Sequence, residues 1–456
     1  MLFNSFPFIL LFIPITVTGY FLLNRTRLTT LALCWLLFSS LFFYSWWNVA
    51  YLPIIVFSIL GNYLIARYIP DNKIVLWFGI GINVALLGYF KYTHFLIDNL
   101  SFVLGRPLHS PEVELPLAIS FFTIQQIVYL VDSYQGLTGK ASLLHYATYV
   151  SFFPHLIAGP IVQHNELMPQ FPILRKKILS YQNLQLGLFI FSIGLLKKTL
   201  IADTLAIWVK QNFDGLQTLG FLTAWASSLS YTLQLYFDFS GYSDMAIGLG
   251  LLFNIKMPTN FRSPLQAKNI IQFWQTWHIT LSRFITNYLF TPILQSMPKV
   301  NFNSSLVATM IAMLIAGIWH GADWRFVIFG GMHGLGLVVN HLWRKKKLSM
   351  PGALGWFLTF FWVNLAFVFF RAKSFTDVKR VLLGMFLPES LGYIRLLTVI
   401  FLALGLFVIM ALPNLEEYMK GRKASWRNSL LTFLILFSCL LILEFQNANE
   451  FLYFKF

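Results

Sequence analysis

Two histidines lie in apolar, tryptophan-rich stretches of the sequence, where a titratable side chain is unusual. His278 ends the run FWQTWH at residues 273–278, and His320 follows the apolar run 306–319, in which Thr309 is the only polar side chain. Burying an ionisable group in such surroundings is costly, so its presence indicates a function. Because burial disfavours the imidazolium cation, a neutral imidazole there can accept a proton near pH 7. The two residues predict proton transfer inside a membrane.

The composition places the chain in a membrane. Of its 456 residues 57% are hydrophobic and 11% are charged, whereas soluble domains are about 25% charged. Alternating segments of about ten residues, which are typical of membrane β-barrels, do not occur in the sequence. We therefore expect an all-α polytopic membrane protein, since a helix satisfies its own backbone hydrogen bonds in lipid.

Hydropathy predicts about twelve transmembrane helices of roughly 20 residues each. They are expected at residues 5–23, 29–47, 49–66, 74–93, 115–133, 184–202, 219–237, 303–322, 324–343, 354–370, 396–412 and 428–446. Two further apolar stretches, 146–162 and 239–253, are short and interrupted by Pro or Gly, which favours re-entrant or half-length helices. We expect one membrane-embedded domain over residues 1–456, with core motifs at about 110–375 and peripheral helices at 1–95 and 396–446.

The basic residues predict the orientation of the chain. Arg25 and Arg27 follow the first predicted helix and no Lys or Arg precedes it, which places the N-terminus outside the cytoplasm and argues against a cleavable signal peptide. Most other basic clusters then face the cytoplasm, whereas residues 371–380 are placed outside. The net charge of +16 is explained by this topology and by contact with anionic lipids. Nucleic-acid binding is not expected, because the charge is spread over many short loops.

Several common chemistries lack their sequence signals. Cys34 and Cys439 lie in separate apolar runs, which supports neither a disulfide nor a cysteine metal site. The chain contains no Walker A, G-x-G-x-x-G, H-E-x-x-H or G-x-S-x-G sequence, so nucleotide hydrolysis, dinucleotide chemistry, zinc proteolysis and a serine nucleophile are not indicated. We expect no bound metal and no permanently bound cofactor.

Other polar and aromatic residues lie near the two histidines in sequence. We assign to a polar network within the apolar surroundings Tyr236, Asp238, Ser240, Tyr242, Asp244, Trp277, Trp319 and Asp323; the family resemblance described below implies that this network lines a substrate tunnel. For Asp238 and Asp244 a polar network that holds a broken helix in place is an alternative. For His333 we favour a role in helix packing, because Gly330 and Gly334 have the small-xxx-small spacing of closely packed helices.

The motifs around His320 resemble a known family. The segment WHGADWRFVIFGGMHG at 319–334 resembles the membrane-bound O-acyltransferases, and among them the bacterial alginate O-acetyltransferase type. Further matches follow in order over about 110–375: FFPHLIAGPI at 152–161, YFDFSGYSDMAIGLG at 236–250, PTNF at 258–261, FWQTWHITLS at 273–282 and FFRA at 369–372. The chain departs from the alginate type around its first histidine. There Gln275, Thr276, Thr286 and Asn287 replace charged residues, and Leu294, Gln295 and Ser296 replace paired glycines.

The resemblance implies a fold and an activity. The fold is a ring of tilted helices around a thinned centre, with a central tunnel that both histidines face. The activity is transfer of an acyl group from a cytoplasmic thioester, foremost acetyl-CoA, to a hydroxyl of a cell-envelope polysaccharide or of a periplasmic relay protein. His320 matches the family's catalytic histidine, the expected general base, and His278 matches its second characteristic histidine. The implied location is the bacterial inner membrane.

Other assignments stay open at this stage. Donor phosphates would suit the basic loops that contain Arg175, Lys176, Lys177, Lys256, Arg262 and Lys268. The partners expected are membrane lipids and a periplasmic protein that relays acetyl groups or modifies polysaccharide. The alternatives are a catalytically silent scaffold of a polysaccharide modification or export complex, and a secondary transporter, although no two halves of matching hydropathy support the latter. The acceptor, the acyl chain and the oligomeric state are not specified by the sequence.

Overall fold

The computed structural model describes residues 1–70, 72–139, 141–419, 424–445 and 450–452, and among these residues regular structure is helical throughout. In this part of the chain eight helices are long and apolar enough to cross a membrane: Pro7–Arg25, Val49–Tyr68, Lys73–Leu104, Tyr181–Phe213, Phe302–His320, Trp324–Lys345, Gly352–Arg371 and Trp426–Phe445. Two shorter apolar helices are Thr29–Ser45 and Leu396–Ala411. The predicted class, an all-α polytopic membrane protein, is confirmed.

The chain divides into two units. The first contains residues 1–195, 242–258 and the described part of 423–456. Its shorter helices are Ile119–Tyr134, Leu143–Ser151, Phe153–Leu156 and His164–Leu167, followed by the 3₁₀ turns Met168–Gln170 and Leu174–Lys177. Its core includes phenylalanine rings from distant segments, with Phe153 packed 5.2 Å from Phe12 and 5.5 Å from Phe43. The short helices at 143–156 agree with the half-length elements predicted at 146–162.

The second unit contains residues 196–241 and 259–422. It contains the apolar helices Phe302–His320, Trp324–Lys345, Gly352–Arg371 and Leu396–Ala411. Its other described elements include the π-helical turns Lys197–Ala202 and Ile285–Phe290, the 3₁₀ turn Pro264–Gln266, and the helices Asp203–Phe213, Ile270–Thr276, Ile279–Phe284, Thr291–Gln295, Phe375–Phe386 and Leu415–Met419. Both histidines singled out from the sequence lie in this unit.

One helix differs from its prediction. The stretches expected as a crossing at 219–237 and a half-length helix at 239–253 form a single helix, Phe221–Leu252, of 32 residues. The predicted boundary near residue 238 was wrong. All residues from 231 to 250 are buried, and their packing outweighs the roughly 1 kcal/mol that a glycine costs inside a helix.

Two helices that carry histidines pack with little space between their backbones. We call Phe302–His320 the His320 helix and Trp324–Lys345 the His333 helix. They run antiparallel on either side of a three-residue turn. A Cβ added to Gly317 would lie 2.3 Å from the Phe326 carbonyl oxygen, and one added to Gly330 would lie 2.4 Å from the Met313 carbonyl oxygen. Such contacts require glycine, which confirms the predicted close packing of this region.

Ion pairs neutralise part of the charge of the basic segment that conflicted with the predicted orientation. Arg371 and Lys373 each lie 3.0 Å from an oxygen of Asp214, and Arg380 lies 3.0 Å from Asp377. Burial alone would raise the pKa of the Asp214 carboxyl, but the hydrogen bonds and charges of Arg371 and Lys373 hold it below the ordinary value. The two carboxylates lower the charge of the four basic residues from +4 to +2, which weakens the conflict with the predicted orientation and does not remove it.

Candidate active site

His278 occupies a strained turn built around Asn260. It joins helices Ile270–Thr276 and Ile279–Phe284 with a left-handed backbone conformation, φ 43°, which is uncommon for a residue with a side chain. Asn260 Oδ1 accepts hydrogen bonds from the Thr280 backbone N–H at 3.3 Å and from the Thr280 hydroxyl at 2.9 Å. The same oxygen lies 3.0 Å from His278 Nδ1. Because an amide oxygen only accepts, Nδ1 carries the proton of this ring.

The other ring nitrogen of His278 is left as a proton acceptor. Nε2 is buried and has no hydrogen-bond partner among the described residues, and its lone pair is available because the proton is on Nδ1. Burial lowers the pKa of His278 to about 3, so the ring is neutral at physiological pH. Backbone strain combined with an unsatisfied buried base is an arrangement that clusters at functional sites.

His320 ends its helix inside a cage of aromatic rings. It is 4% exposed, and its ring centroid lies 5.0 Å from Trp319, 5.3 Å from Phe370 and 5.7 Å from Phe329. Gly321 follows the helix in an extended conformation, and the close Phe326 ring favours glycine there, since an added Cβ would lie 2.1 Å from it. The cage fixes the ring and excludes water from several of its sides.

Asp323 holds the turn after His320. Its carboxylate caps the His333 helix by accepting from the Arg325 backbone N–H at 2.8 Å, and it also binds the Arg325 guanidinium at 2.7 and 2.8 Å. Among the described residues, the hydrogen bonds of this carboxylate all come from Arg325. The sequence placed Asp323 in the polar network of the tunnel, whereas the structure uses it to fix the turn that follows the histidine.

The long helix Phe221–Leu252 presents aromatic residues to the His278 turn. The ring of Phe239 lies 4.7 Å from His278 in an edge-to-face arrangement, and Tyr236 lies 6.4 Å from Trp277. On the same helix the Ser240 hydroxyl is buried and has no hydrogen-bond partner among the described residues. Tyr236, Trp277 and Ser240 therefore lie in the second unit, as does His278.

Asp238 lies on the same helix but belongs to a buried ion triad. Lys198 Nζ lies 2.6 Å from Asp238 and 2.9 Å from Asp203, and all three side chains are at most 6% exposed. Sequence reasoning identified Asp238 and missed its partners. A lysine inside the apolar run 184–202 was the available signal, because a buried cation requires a nearby carboxylate.

Tyr242 and Asp244 belong to the first unit. Tyr242 stacks on Phe3 at 4.7 Å and meets Phe451 edge to face at 4.4 Å, and Asp244 is 6% exposed. The structure thus assigns these two predicted network residues to the part of the long helix that packs with the N-terminal segment.

The basic loop residues separate into two groups. In the first unit Gln170 accepts a hydrogen bond from Lys176 and binds the backbone N–H and carbonyl of Lys256 at 3.0 and 2.8 Å. Burial and the neighbouring charge of Lys256 lower the pKa of Lys176, which indicates clustered like charges. Lys177 belongs to the same turn, Leu174–Lys177, as does Arg175, whose side chain lies outside the described part.

In the second unit the two remaining basic residues have other contacts. Arg262 binds Glu416 at 2.6 Å, which neutralises its charge. Lys268 is exposed and lies beside Gly352. The structure therefore brings Lys176 and Lys256 together in the first unit.

Another buried histidine is fully satisfied. In the first unit His155 is 1% exposed, and its Nε2–H donates to the Tyr149 carbonyl oxygen at 3.0 Å while Nδ1 accepts from the Gln125 amide at 3.1 Å. A histidine with both nitrogens bonded has no free base for chemistry. His155 is a structural residue, in contrast to His278.

Comparison with known proteins identifies the family of the chain. The family model of the membrane-bound O-acyltransferases matches residues 111–376. The chain is 46% identical to the peptidoglycan O-acetyltransferase of Helicobacter pylori over 84% of its own length and 80% of the relative, and 36% identical to a probable alginate O-acetylase AlgI of Pseudomonas putida over 85% and 80%. It is also 27% identical to the teichoic acid D-alanyltransferase of Bacillus subtilis over 59% of its length and 72% of the relative. The chain, in which aromatic rings surround His320 and His278 provides a buried base, therefore belongs to the membrane-bound O-acyltransferase family.

Proposed function

We propose that this acyltransferase moves an acetyl group from cytoplasmic acetyl-CoA to a hydroxyl at the outer face of the inner membrane, with His320 as general base. The observation that supports this proposal is the position of His320 within its helix pair. The His333 helix ends at Lys345 beside the basic residues Arg344, Lys346 and Lys347, a cluster that positive-inside logic places in the cytoplasm. His320 lies at the opposite end of this antiparallel pair, where an outer hydroxyl would arrive.

The proposed reaction transfers one proton and one acyl group. A ring nitrogen of His320 takes the hydroxyl proton as the oxygen attacks the thioester carbonyl carbon. The carbon–sulfur bond then breaks, and the leaving CoA thiolate takes up the proton, so that CoA and an acetyl ester are formed. General-base assistance of this kind contributes roughly 10² to 10⁴ in rate. Cys34 and Cys439 both lie in apolar helices, so direct transfer between the two substrates is the simpler route.

The substitutions around His278 do not disturb its turn. The Thr276 hydroxyl donates to the Gln272 carbonyl oxygen at 2.9 Å and the Thr286 hydroxyl donates to the Ser282 carbonyl oxygen at 2.8 Å, each within its own helical segment. Because both hydroxyls form hydrogen bonds within their own helical segments, they do not compete for the hydrogen bond between Asn260 and His278. Together with membership of an acyltransferase family, this favours the enzyme over the scaffold and transporter alternatives.

For the acceptor we propose peptidoglycan. The relative with 46% identity is a peptidoglycan O-acetyltransferase, whereas the alginate O-acetylases share 33 to 36%. The test is to delete the gene, isolate peptidoglycan and exopolysaccharide separately, and measure alkali-labile acetate in each. We expect peptidoglycan to lose its O-acetyl groups and to regain them with the wild-type gene. Loss confined to the exopolysaccharide would contradict this acceptor.

The basic loop of the first unit is the proposed contact for the donor phosphates. Reversing two charges, Lys176→Glu with Lys177→Glu, is expected to raise the KM for acetyl-CoA about tenfold and to leave kcat unchanged, because the loop would attract the donor without touching the reacting atoms. The matched control is Lys346→Glu with Lys347→Glu, which changes the net charge equally on a segment that is also predicted to be cytoplasmic. Equal KM values for the two double variants would exclude a donor contact at this loop.

A further inference from the structure

His333 is a buried histidine that the proposed reaction does not use. It is fully buried in the second unit, and aromatic rings surround it, with centroids 4.6 Å away for Phe329, 5.0 Å for Trp274 and 6.0 Å for Phe273. The glycines beside it explain the close helix packing that the sequence predicted. They do not explain a polar ring in this environment.

The hydrogen bonding of His333 fixes its tautomer. The indole N–H of Trp274 lies 3.2 Å from His333 Nδ1. Since an indole nitrogen can only donate, Nδ1 must accept, and the proton of the neutral ring is on Nε2. This is the reverse of His278, whose proton is on Nδ1.

The Nε2–H of His333 is therefore a buried donor, and it has no hydrogen-bond partner among the described residues. A buried N–H that has lost water without gaining an acceptor is costly, and native structures contain few of them. Such a group indicates an acceptor that binds transiently. The acceptor must be an oxygen or a lone-pair nitrogen, because the ring supplies the hydrogen.

The helix pairing places the imidazole of His333 at a defined distance from His320. The backbones of Gly317 and Gly330 are in contact, since a Cβ on Gly317 would lie 2.8 Å from the Gly330 α-carbon. His320 follows Gly317 by three residues and His333 follows Gly330 by three. In an antiparallel pair this separates the two histidines by about 9 Å along the helix axes.

His333 also lies on the side from which acyl-CoA is proposed to enter. Of the two histidines it is nearer to the Lys345 end of its helix, the end predicted to be cytoplasmic. The Phe329 ring contacts both imidazoles, at 4.6 Å from His333 and 5.7 Å from His320. A linear acyl donor that follows this helix pair from the Lys345 end to His320 would therefore meet His333 first.

We propose that His333 Nε2–H binds the pantetheine arm of the acyl-CoA donor by donating to an amide carbonyl oxygen. This inference rests on the proposed donor. The arm contains two amides. The carbonyl carbon of the amide farther from sulfur is about eight bonds from the sulfur atom, and an extended chain advances about 1.2 Å per bond. The resulting span of about 10 Å is close to the separation of the two histidines along the helix axes, about 9 Å. The contact orients the thioester beside His320 and makes His333 a positioning residue.

The test measures donor binding without turnover. His320→Ala protein in lipid nanodiscs is used as the parent, and the dissociation constant of radiolabelled acetyl-CoA is measured for the parent and for two added substitutions. His333→Phe removes the hydrogen-bond donor Nε2–H and keeps an aromatic ring, and His333→Gln retains an N–H near the position of Nε2. We expect His333→Phe to weaken acetyl-CoA binding about tenfold, the effect of one ordinary hydrogen bond, and His333→Gln to bind within about twofold of the parent.

A truncated donor separates this contact from general packing. S-acetyl-N-acetylcysteamine contains the amide nearer to sulfur and lacks the farther one, so its inhibition constant against acetyl-CoA is expected to be equal in all three proteins. If the inhibition constant of S-acetyl-N-acetylcysteamine were about ten times higher in His333→Phe than in the parent, His333 would be a packing residue and the inference would be overturned. So would acetyl-CoA binding to His333→Phe as tight as to the parent. A parent that binds no acetyl-CoA would overturn the donor assignment as well, which distinguishes the two failures.

Discussion

Replacing His320 by alanine is expected to lower the rate of acetyl transfer at least a hundredfold. General-base assistance contributes roughly 10² to 10⁴ in rate, and the rings that pack against this position, Trp319, Phe329 and Phe370, cannot serve as bases in its place. The binding of acetyl-CoA is expected to change little, because a base that acts only as the hydroxyl attacks contributes mainly in the transition state. The measurement is kcat for CoA release by purified protein in nanodiscs, with an acceptor extract present.

The matched control is His341→Ala. His341 lies on the His333 helix in the same unit but is partly exposed and near the helix end, so its removal is expected to leave kcat unchanged. Retention of a tenth or more of the wild-type rate by His320→Ala, with normal folding, would exclude His320 as the general base.

Replacing Lys198 by methionine is expected to cause the largest loss of stability. The change leaves Asp203 and Asp238 buried without their shared cation, and breaking a buried ion pair in this way costs about 3 to 5 kcal/mol. We expect the melting temperature of the purified protein to fall by about 3 to 5 °C. Thermal unfolding in nanodiscs, followed by intrinsic tryptophan fluorescence, measures the change.

Removing the whole triad tests the cause of that loss. In the triple variant Lys198→Met, Asp203→Asn, Asp238→Asn, no charge remains, and replacing all members of a buried ion network is far less harmful than removing one. The triple variant is therefore expected to melt at a higher temperature than Lys198→Met alone. A triple variant that is less stable than the single one would show that the side chains matter for another reason than their charge.

The class of the protein and its closely packed helix pair could be predicted because both depend on local sequence. Apolar runs and basic flanks are properties of single segments, and the glycine spacing around His333 is read within one helix. The predicted boundary near residue 238 was wrong for a related reason. A glycine weakens a helix locally, but burial from 231 to 250 is a tertiary property that overrides it.

The partners of the site residues could not be predicted, because they come from distant parts of the chain. Asn260 orients His278 from 18 residues away, and Lys198 binds Asp238 from 40 residues away. Trp274 fixes the tautomer of His333 from 59 residues away. Sequence patterns identify which polar residues are costly to bury, and only the fold shows which of them satisfy one another.

Residues close in sequence also separate in the structure. Successive helix residues point about 100° apart. On the helix Phe221–Leu252, Asp238 therefore binds Lys198 while Phe239 contacts His278. Tyr242, one helical turn beyond Asp238, packs with the N-terminal Phe3 in the other unit. The motif at 236–250 thus contributes one residue to the ion triad, one to the surroundings of His278 and one to a separate aromatic core.

The path of the acetyl group itself tests the central claim most directly. Protein is reconstituted into liposomes of known orientation, acetyl-CoA labelled in its acetyl group is supplied to the cytoplasmic face, and peptidoglycan strands with periplasmic extract are supplied to the outer face. We expect label to accumulate in the strands as an alkali-labile ester with wild-type protein and at no more than a hundredth of that rate with His320→Ala. Equal transfer by both proteins, or no label in the strands with any acyl-CoA tried, would contradict the account.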